Sequence, residues 1–353
     1  MTRSRSRIYL AVGLLLVCGF VVVIGALGLG AWDALSGAMR PTPDFGRTLD
    51  ALITAGALST SAPEASALGA TATAPPAGDQ PSGHIVLTCQ IYKYQSSNQI
   101  CIMNADGSGY RRLTTDDGIA HWYAALAPDG RSVVYSQYRE DNVYEIYELT
   151  LADGVARRLS DRLGTLTGPE ISPDGQSIVF MRWTPASNQE QVWLMDRDGN
   201  HPRRVVAGTG WDPTWSPDGT RILFASDRDG SNQLYLVNVD GSALRKITSL
   251  PALRGRSDWS PLNQIVTYSG AAWKRELFLM NADGSKVHQV GPPGGNSQGP
   301  TFSPDGLWIA FTAYFDRMND ENGCEIYVIR TDGSDLRRLT NNDYCDYQPR
   351  WGP

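Results

Sequence analysis

The chain has 353 residues and a formal charge of −6, and its 36 glycines, 21 prolines, 15 tyrosines and 10 tryptophans suit a turn-rich β protein better than a helical one. Residues 1–83 hold five basic and five acidic groups, which leaves 26 basic against 32 acidic in the remainder. A mildly acidic domain with no basic run argues against nucleic-acid binding, because phosphate contact needs clustered Lys and Arg.

At the N-terminus Arg3, Arg5 and Arg7 precede an uncharged apolar run from Ile8 to Trp32. As a helix rising ~1.5 Å per residue the run is long enough to cross a hydrocarbon core of about 30 Å. The arginines ahead of it predict a cytoplasmic stub at 1–7, a transmembrane signal-anchor at 8–32 and the rest of the chain outside. A cleaved signal peptide is the competing reading, with small residues at Gly28-Leu29-Gly30, but its apolar region should be nearer ~7–15 residues. Cys18 follows Val17 where a lipoprotein signal needs a small residue, so it reads as an apolar thiol in the membrane. Residues 33–83 turn to Ala, Thr, Ser, Pro and Gly, as in "STSAPEASALGATATAPPAGDQPSG", and read as a flexible linker.

Beyond the linker one turn recurs: "LAPDG" at 126–130, "ISPDG" at 171–175, "WSPDG" at 215–219, "WSPLN" at 259–263 and "FSPDG" at 302–306. Anchored on Pro128, Pro173, Pro217, Pro261, Pro304 and Pro353, the intervals are 45, 44, 44, 43 and 49. A period of roughly 40–50 residues indicates a propeller, solenoid or array. The unit at 211–248 divides into four short β-like pieces, 213–216, 221–226, 233–237 and 244–248, joined by Pro-Asp-Gly and Asp-Gly turns. No piece has room for a helix of about ten residues, which leaves four-stranded propeller blades. The N-terminal unit lacks a first piece, and "YQPRWGP" at the C-terminus is a first piece alone. If the last residues supply the missing strand, the ring closes non-covalently. The first pieces, at 121–127, 168–172, 211–216, 256–260, 299–303 and 347–352, give six blades.

The stretches "SPDG…IVF…VWLMDRDG" and "WSPDGTRILFASDRDGSNQLYLVNVDGSALRKIT" resemble the TolB-type (PD40, WD40-like) β-propeller repeat, over about 84–353. The resemblance implies an extracytoplasmic six-bladed propeller that binds partners. TolB carries a folded α/β domain ahead of its propeller, whereas an anchor and linker are expected here.

Four cysteines, Cys89, Cys101, Cys324 and Cys345, fall in the exported part, and an even count outside the cytoplasm invites disulfides, with three connectivities open. In the repeat frame Cys89 and Cys101 face each other across a hairpin centred near Gln95. Cys324 opens the third strand of the last blade, and Cys345 lies in the loop that enters the closing strand. The frame therefore predicts Cys89–Cys101 and Cys324–Cys345, against an alternative of free buried thiols.

No catalytic constellation stands out. The histidines His84, His121, His201 and His288 are scattered over different repeats, and neither a HExxH nor a GxSxG pattern occurs. Runs such as "NADGSG" and "DRDGSN" resemble the start of a calcium loop but lack its distal Glu and flanking helices, so they read as hairpin turns. The glycine-rich "GPPGGNSQGP" at 291–300 follows no strand-to-helix pattern and reads as a loop.

A binding face is the better candidate. Where the first pieces begin, the repeat frame places Trp122, Tyr123, Glu170, Trp211 and Asp212, and further round the ring Arg256, Asp258, Gln298, Tyr347, Gln348 and Arg350. Loops on that face add Trp183, Trp273-Lys274-Arg275 and "YFDRMNDENG" at 314–323. Aromatic groups and both charge signs around a concave mouth are the mixture that forms binding hot spots. The plainer alternative is a solvated rim whose aromatics pack on neighbouring blades.

The sequence thus predicts an all-β fold: a six-bladed propeller of four-stranded antiparallel blades behind a transmembrane helix and a disordered linker. The expected function is a non-catalytic binding module at the cell membrane, extracytoplasmic, for a protein, peptide or glycan partner, with no cofactor and no metal. The alternative is a propeller enzyme, such as a polysaccharide lyase or hydrolase acting on an extracellular polymer.

Overall fold

A computed structural model of the protein describes residues 80–92, 95–318, 320 and 323–353. The expected stub, membrane anchor and linker up to residue 79 lie outside the described residues. Among the described residues no helix is long and apolar enough to cross a membrane.

The described residues hold 24 strands. The unit at 211–248 shows how one group is built. Trp211–Trp215 pairs antiparallel with Arg221–Ser226, that strand with Gln233–Asn238, and that with Arg245–Lys246. The two middle strands are buried along nearly their whole length, which requires runs such as "ILFA" and "LYLV" that are apolar on both faces. The outermost strand is exposed and basic, here Arg245-Lys246, elsewhere Arg111-Arg112, Arg203-Arg204 and Arg337-Arg338. Charge on an outer edge opposes pairing with another sheet edge.

The recurring turn has a chemical reason for each letter. Gly219 N donates to Ser216 O (2.8 Å) with Gly219 at φ 68°. Ser216 Oγ donates to Asp218 Oδ1 (2.6 Å) and accepts from Arg221 N (2.9 Å), while Thr220 N donates to the same carboxylate (3.0 Å). The degenerate "SPLN" keeps the geometry because Asn263 takes the left-handed conformation, at φ 62°.

A second repeated device ties the outer strand to the third. The hydroxyls of Thr114, Ser160, Thr248 and Thr340 each accept the backbone N–H of a third-strand residue, Ile100, Ile146, Leu234 and Ile326, at 2.9 Å. In three of the four a buried acid or amide completes the clamp: Ser160 Oγ donates to Glu145, Thr248 Oγ1 donates to Gln233 (2.7 Å), and Thr340 Oγ1 donates to Glu325 (2.6 Å).

Closure follows the sequence expectation. Asp346–Gly352 pairs antiparallel with His84–Tyr92, so the last strand completes the first sheet. The order extends further N-terminal than expected, into the end of the proposed linker. Ser82 O accepts the Trp351 indole N–H (2.8 Å), and Gly83 O accepts Ala105 N (3.0 Å).

The sheet count differs from six separate blades. Four sheets are four-stranded, but the strands between His121 and Arg204 form one eight-stranded sheet. Its two antiparallel halves meet at a single parallel pairing, Tyr144 with Thr165, where Tyr144 N donates to Gly164 O (3.1 Å). The short connection 159–164, with Gly164 at φ 121°, brings the next first strand alongside the previous third strand. Burial nonetheless has six centres. Each joins two successive strand groups, from Val86 and Ile100 against Val133 and Tyr135 to Ile85 and Leu87 against Trp308 and Ala310.

Both expected disulfides are present, with Cα separations of 5.8 Å for Cys89–Cys101 and 4.6 Å for Cys324–Cys345. Cys89 lies opposite Gln99 and Cys101 opposite Leu87, so the first bridge is diagonal and the hairpin is displaced from the expected centre.

Candidate functional site

Every first strand departs from ideal pairing near its start, and Leu253–Trp259 does so twice, on either side of Gly255. Register shifts fall between Trp122 and Ala125, Thr167 and Glu170, Trp211 and Thr214, Gly255 and Asp258, and Gln298 and Thr301, with the matching irregularity where the last strand meets Val86 and Thr88. A positive φ marks each: Tyr123 (57°), Gly168 (60°), Asp212 (48°), Gly255 (110°), Gly299 (58°) and Gln348 (56°). Five of the six stand five residues before the proline that anchors the repeat. In the unit with Gly255 the shift comes one residue earlier, and Arg256 takes the frame position. Such bulges re-aim side chains. A tyrosine, an aspartate and a glutamine held at positive φ are strained positions of the sort that collect at functional sites.

Four of these positive-φ residues, Tyr123, Asp212, Gly299 and Gln348, line a cavity of about 250 Å³ at the mouth of the ring. Four phenols surround it, from Tyr123, Tyr268, Tyr314 and Tyr347, and Gln298, Gln348 and Thr312 add polar groups. Asp212 and Arg256 are its two charged residues. The Asp212 carboxylate accepts the backbone N–H of Arg256 (2.9 Å). The Arg256 guanidinium lies over the Tyr123 ring, 5.4 Å from its centroid, and donates weakly to Gln348 O (3.3 Å). Arg256 is only 6 % exposed, and its Nε has no hydrogen-bond partner. Burial and the neighbouring Arg350 bring its pKa down to about 10, so it stays charged at neutral pH. Burial, with Asp212 nearby, pushes Tyr268 up to about 12 and raises Tyr123, so both phenols stay protonated donors. Burial together with Asp212 and Asp227 raises the nearby Glu190.

Two residues further along each first strand a second layer crosses the channel. Arg350 reaches Glu170 Oε2 and Asp258 Oδ1, each at 3.6 Å, and Ser257 O at 3.4 Å. Glu170 also accepts Thr214 Oγ1 (2.9 Å) and Trp215 N (3.1 Å). Asp258 accepts Thr301 Oγ1 (2.8 Å) and Phe302 N (2.7 Å). Five first strands are thereby joined by one cation, two carboxylates and two threonine hydroxyls. Burial raises the Glu170 pKa against the opposing pull of Arg350.

The structure therefore sorts the eleven mouth positions expected from the sequence. Tyr123, Asp212, Arg256, Gln298, Tyr347 and Gln348 converge on the cavity. Glu170, Asp258 and Arg350 form the layer beneath it, bound chiefly to the frame. Trp122 and Trp211 stand to the side. Trp122 packs edge-on to Tyr144 (5.2 Å) and donates to the Tyr347 hydroxyl, while the Trp211 indole lies where a Cβ on Gly255 would fall. Tyr268 and Thr312, on second strands, were not anticipated, because the repeat frame drew attention only to first strands and loops. Of the loops, Trp273 packs on Tyr314 (5.2 Å) and Arg317 donates to Asn342 O (2.8 Å). Among the described residues no three His, Cys, Asp or Glu side chains gather as a metal site.

Comparison with known proteins follows the same lines. Residues 184–353 match the family model described as TolB beta propeller domain (PD40). The protein Atu1656 of Agrobacterium fabrum is 31 % identical over 166 residues, covering 43 % of this chain and 55 % of that protein. The Tol-Pal system protein TolB of Francisella tularensis is 24 % identical over 268 residues, 70 % of this chain and 58 % of TolB. The chain thus spans little more than half the length of these curated relatives. The crystal structure of TolB from Acinetobacter baumannii superposes with a TM-score of 0.67 at 20 % identity, covering 77 % of this chain and 67 % of that one, a likeness of fold.

Proposed function

We propose that the chain is a non-catalytic binding module whose ring has six blades and whose mouth cavity receives a protein partner, a reading supported by the match of residues 184–353 to the TolB beta propeller domain. The eight-stranded sheet counts as two blades in this reading, in keeping with the six buried centres. The observation that carries the function is the convergence of strained first-strand residues, Tyr123, Asp212 and Gln348, on one cavity ringed by phenols. Tyr and Arg in a concave, water-excluding setting are the residues that dominate binding energies. The lining contains no histidine or serine, and its cysteine, Cys345, is in a disulfide, which favours binding over nucleophilic chemistry. The name of the TolB relatives, as proteins of the Tol-Pal system, supports a protein as partner. Two disulfides support an oxidising, extracytoplasmic location, and the apolar segment 8–32 is the proposed tether to the membrane.

The test is site-specific crosslinking. A photoreactive phenylalanine analogue replaces Tyr314 at the cavity in the full chain, and Leu262, exposed on a hairpin, serves as the comparison site. The expected result is one discrete protein adduct from position 314 and none from 262. Equal adducts from both positions, or none from either, would refute the mouth as the binding site.

A further inference from the structure

The mouth cavity contains one group whose chemistry is incomplete. Arg256 is buried and charged, yet among the described residues its guanidinium forms no ion pair, and its one side-chain hydrogen bond is the 3.3 Å contact to Gln348 O. The Asp212 carboxylate accepts the backbone N–H of Arg256 and attracts its guanidinium through space, without an ion-pair contact. The other arginine of the channel, Arg350, has two carboxylates, and its charge adds to the positive potential at Arg256. A buried cation with no carboxylate in direct contact is costly, because a low-dielectric site returns little of the lost hydration. The cost is offset when an anion binds, and planar carboxylates match the guanidinium.

Resting on the mouth-binding reading above, we infer that the cavity takes a carboxylate-bearing side chain or chain end of an acidic peptide segment, seated on Arg256. Three features select a peptide. The cavity of about 250 Å³ holds one or two side chains. Arg256 lies deep, and a glutamate or a chain terminus carries its carboxylate on a slender stem, whereas a uronic acid carries it directly on the sugar ring. The Gln298 and Gln348 carbonyl oxygens already accept from Arg275 Nη1 and Thr88 Oγ1, so what these amides present to a peptide backbone is N–H donors for its carbonyl groups. Gly299 leaves room beside the site, where a Cβ would already touch the Arg256 side chain at 3.5 Å.

The experiment uses the full chain labelled with 15N at arginine. The Nε–H resonance of Arg256 is identified by its loss in Arg256→Lys. The titrants are triglutamate, triglutamine, trigalacturonate and inorganic phosphate. The inference requires that triglutamate shift this resonance saturably and bind at least tenfold more tightly than triglutamine. It also requires that Arg256→Gln lose at least tenfold in triglutamate affinity, while Arg256→Lys, which keeps the charge, retains part of it. Thermal melts confirm that each variant is folded, and Arg256→Lys decides the matter if Arg256→Gln does not fold. Equal binding of triglutamate and triglutamine, or no binding of any titrant, overturns the inference. Tighter binding of trigalacturonate or phosphate overturns the peptide assignment. A crosslinked partner at position 314 together with indifference to triglutamate would sink the carboxylate and leave the mouth reading standing.

Discussion

The hairpin face and the channel face of the ring obey opposite rules. On the hairpin face the same residues recur with the same bonds. Asp106, Asp240 and Asp332 each accept both the N–H and the hydroxyl of the serine two residues on, while Asp174, Asp218 and Asp305 each accept a serine two residues back. On the channel face the frame is as regular, yet the six units place five different residue types at the same position. Five residues before the anchoring proline stand Tyr123, Gly168, Asp212, Arg256, Gly299 and Gln348. Repetition encodes the scaffold, and departure from repetition at a fixed frame position encodes what the scaffold presents.

The layer beneath the cavity tests that contrast most severely, because its three charges belong to three separate repeats. Replacing Arg350 with Met leaves Glu170 and Asp258 facing a buried channel without their cation. Breaking a buried pair from one side costs about 3–5 kcal/mol, whereas replacing all members with neutral groups is often close to harmless. Urea unfolding of Arg350→Met should lose stability in that range, and Arg350→Met combined with Glu170→Gln and Asp258→Asn should recover more than half of it. A loss under ~1 kcal/mol for the single variant would mean that the layer does not hold the first strands together.

The closing strand offers a second break, readable by pH. Asp346 is fully buried, where it accepts Tyr110 Oη (2.9 Å) and Asn342 Nδ2 (2.8 Å). Burial, with Glu325 nearby, pushes its pKa up to about 7. A carboxyl with a folded pKa above its unfolded one adds stability that is complete below the unfolded value, near 4, and is lost as pH rises through about 7. The folded ring should therefore be more stable at pH 5 than at pH 8. At about 1.4 kcal/mol per pH unit the difference attributable to this group is roughly 3 kcal/mol. Asp346→Asn should flatten the profile between those pH values. A profile that keeps its slope in the variant would assign the effect elsewhere, with Glu325, also raised by burial, as the first suspect.

What the sequence made legible follows from the same division. The Pro-Asp-Gly interval, the missing first piece of the N-terminal unit and the lone "YQPRWGP" sufficed for the blade pattern and for the closing strand, because turn residues and strand periods are local properties. The disulfide partners were legible once that frame existed. The bulges were not. Nothing in "HWYAAL" or "DYQPRWG" marks Tyr123 or Gln348 as left-handed, since only tertiary context holds such residues there. The layering of Asp212 and Arg256 above Glu170, Asp258 and Arg350 depends on those bulges, so residues read as one rim became two levels. The parallel pairing of Tyr144 with Thr165 was hidden for a similar reason. It depends on how tightly residues 159–164 turn, not on strand propensity.

The smallest expected effect lies on the hairpin face and completes the contrast. Ser216→Ala removes a hydroxyl that donates to Asp218 and accepts from Arg221 N. Such a bond contributes about 1 kcal/mol net, and Asp218 keeps the N–H of Thr220 and its hydroxyl as donors. The turn is one of several equivalent copies spread round the ring, so its loss should shift the urea midpoint by roughly that amount and leave binding at the mouth unchanged. Calorimetric titration of the Ser216→Ala chain with triglutamate, beside the unaltered chain, checks both halves at once. A change in affinity with a small change in stability would show that the hairpin face governs the mouth, and the separation of scaffold from presented surface would fail at the position where the repeat is most regular.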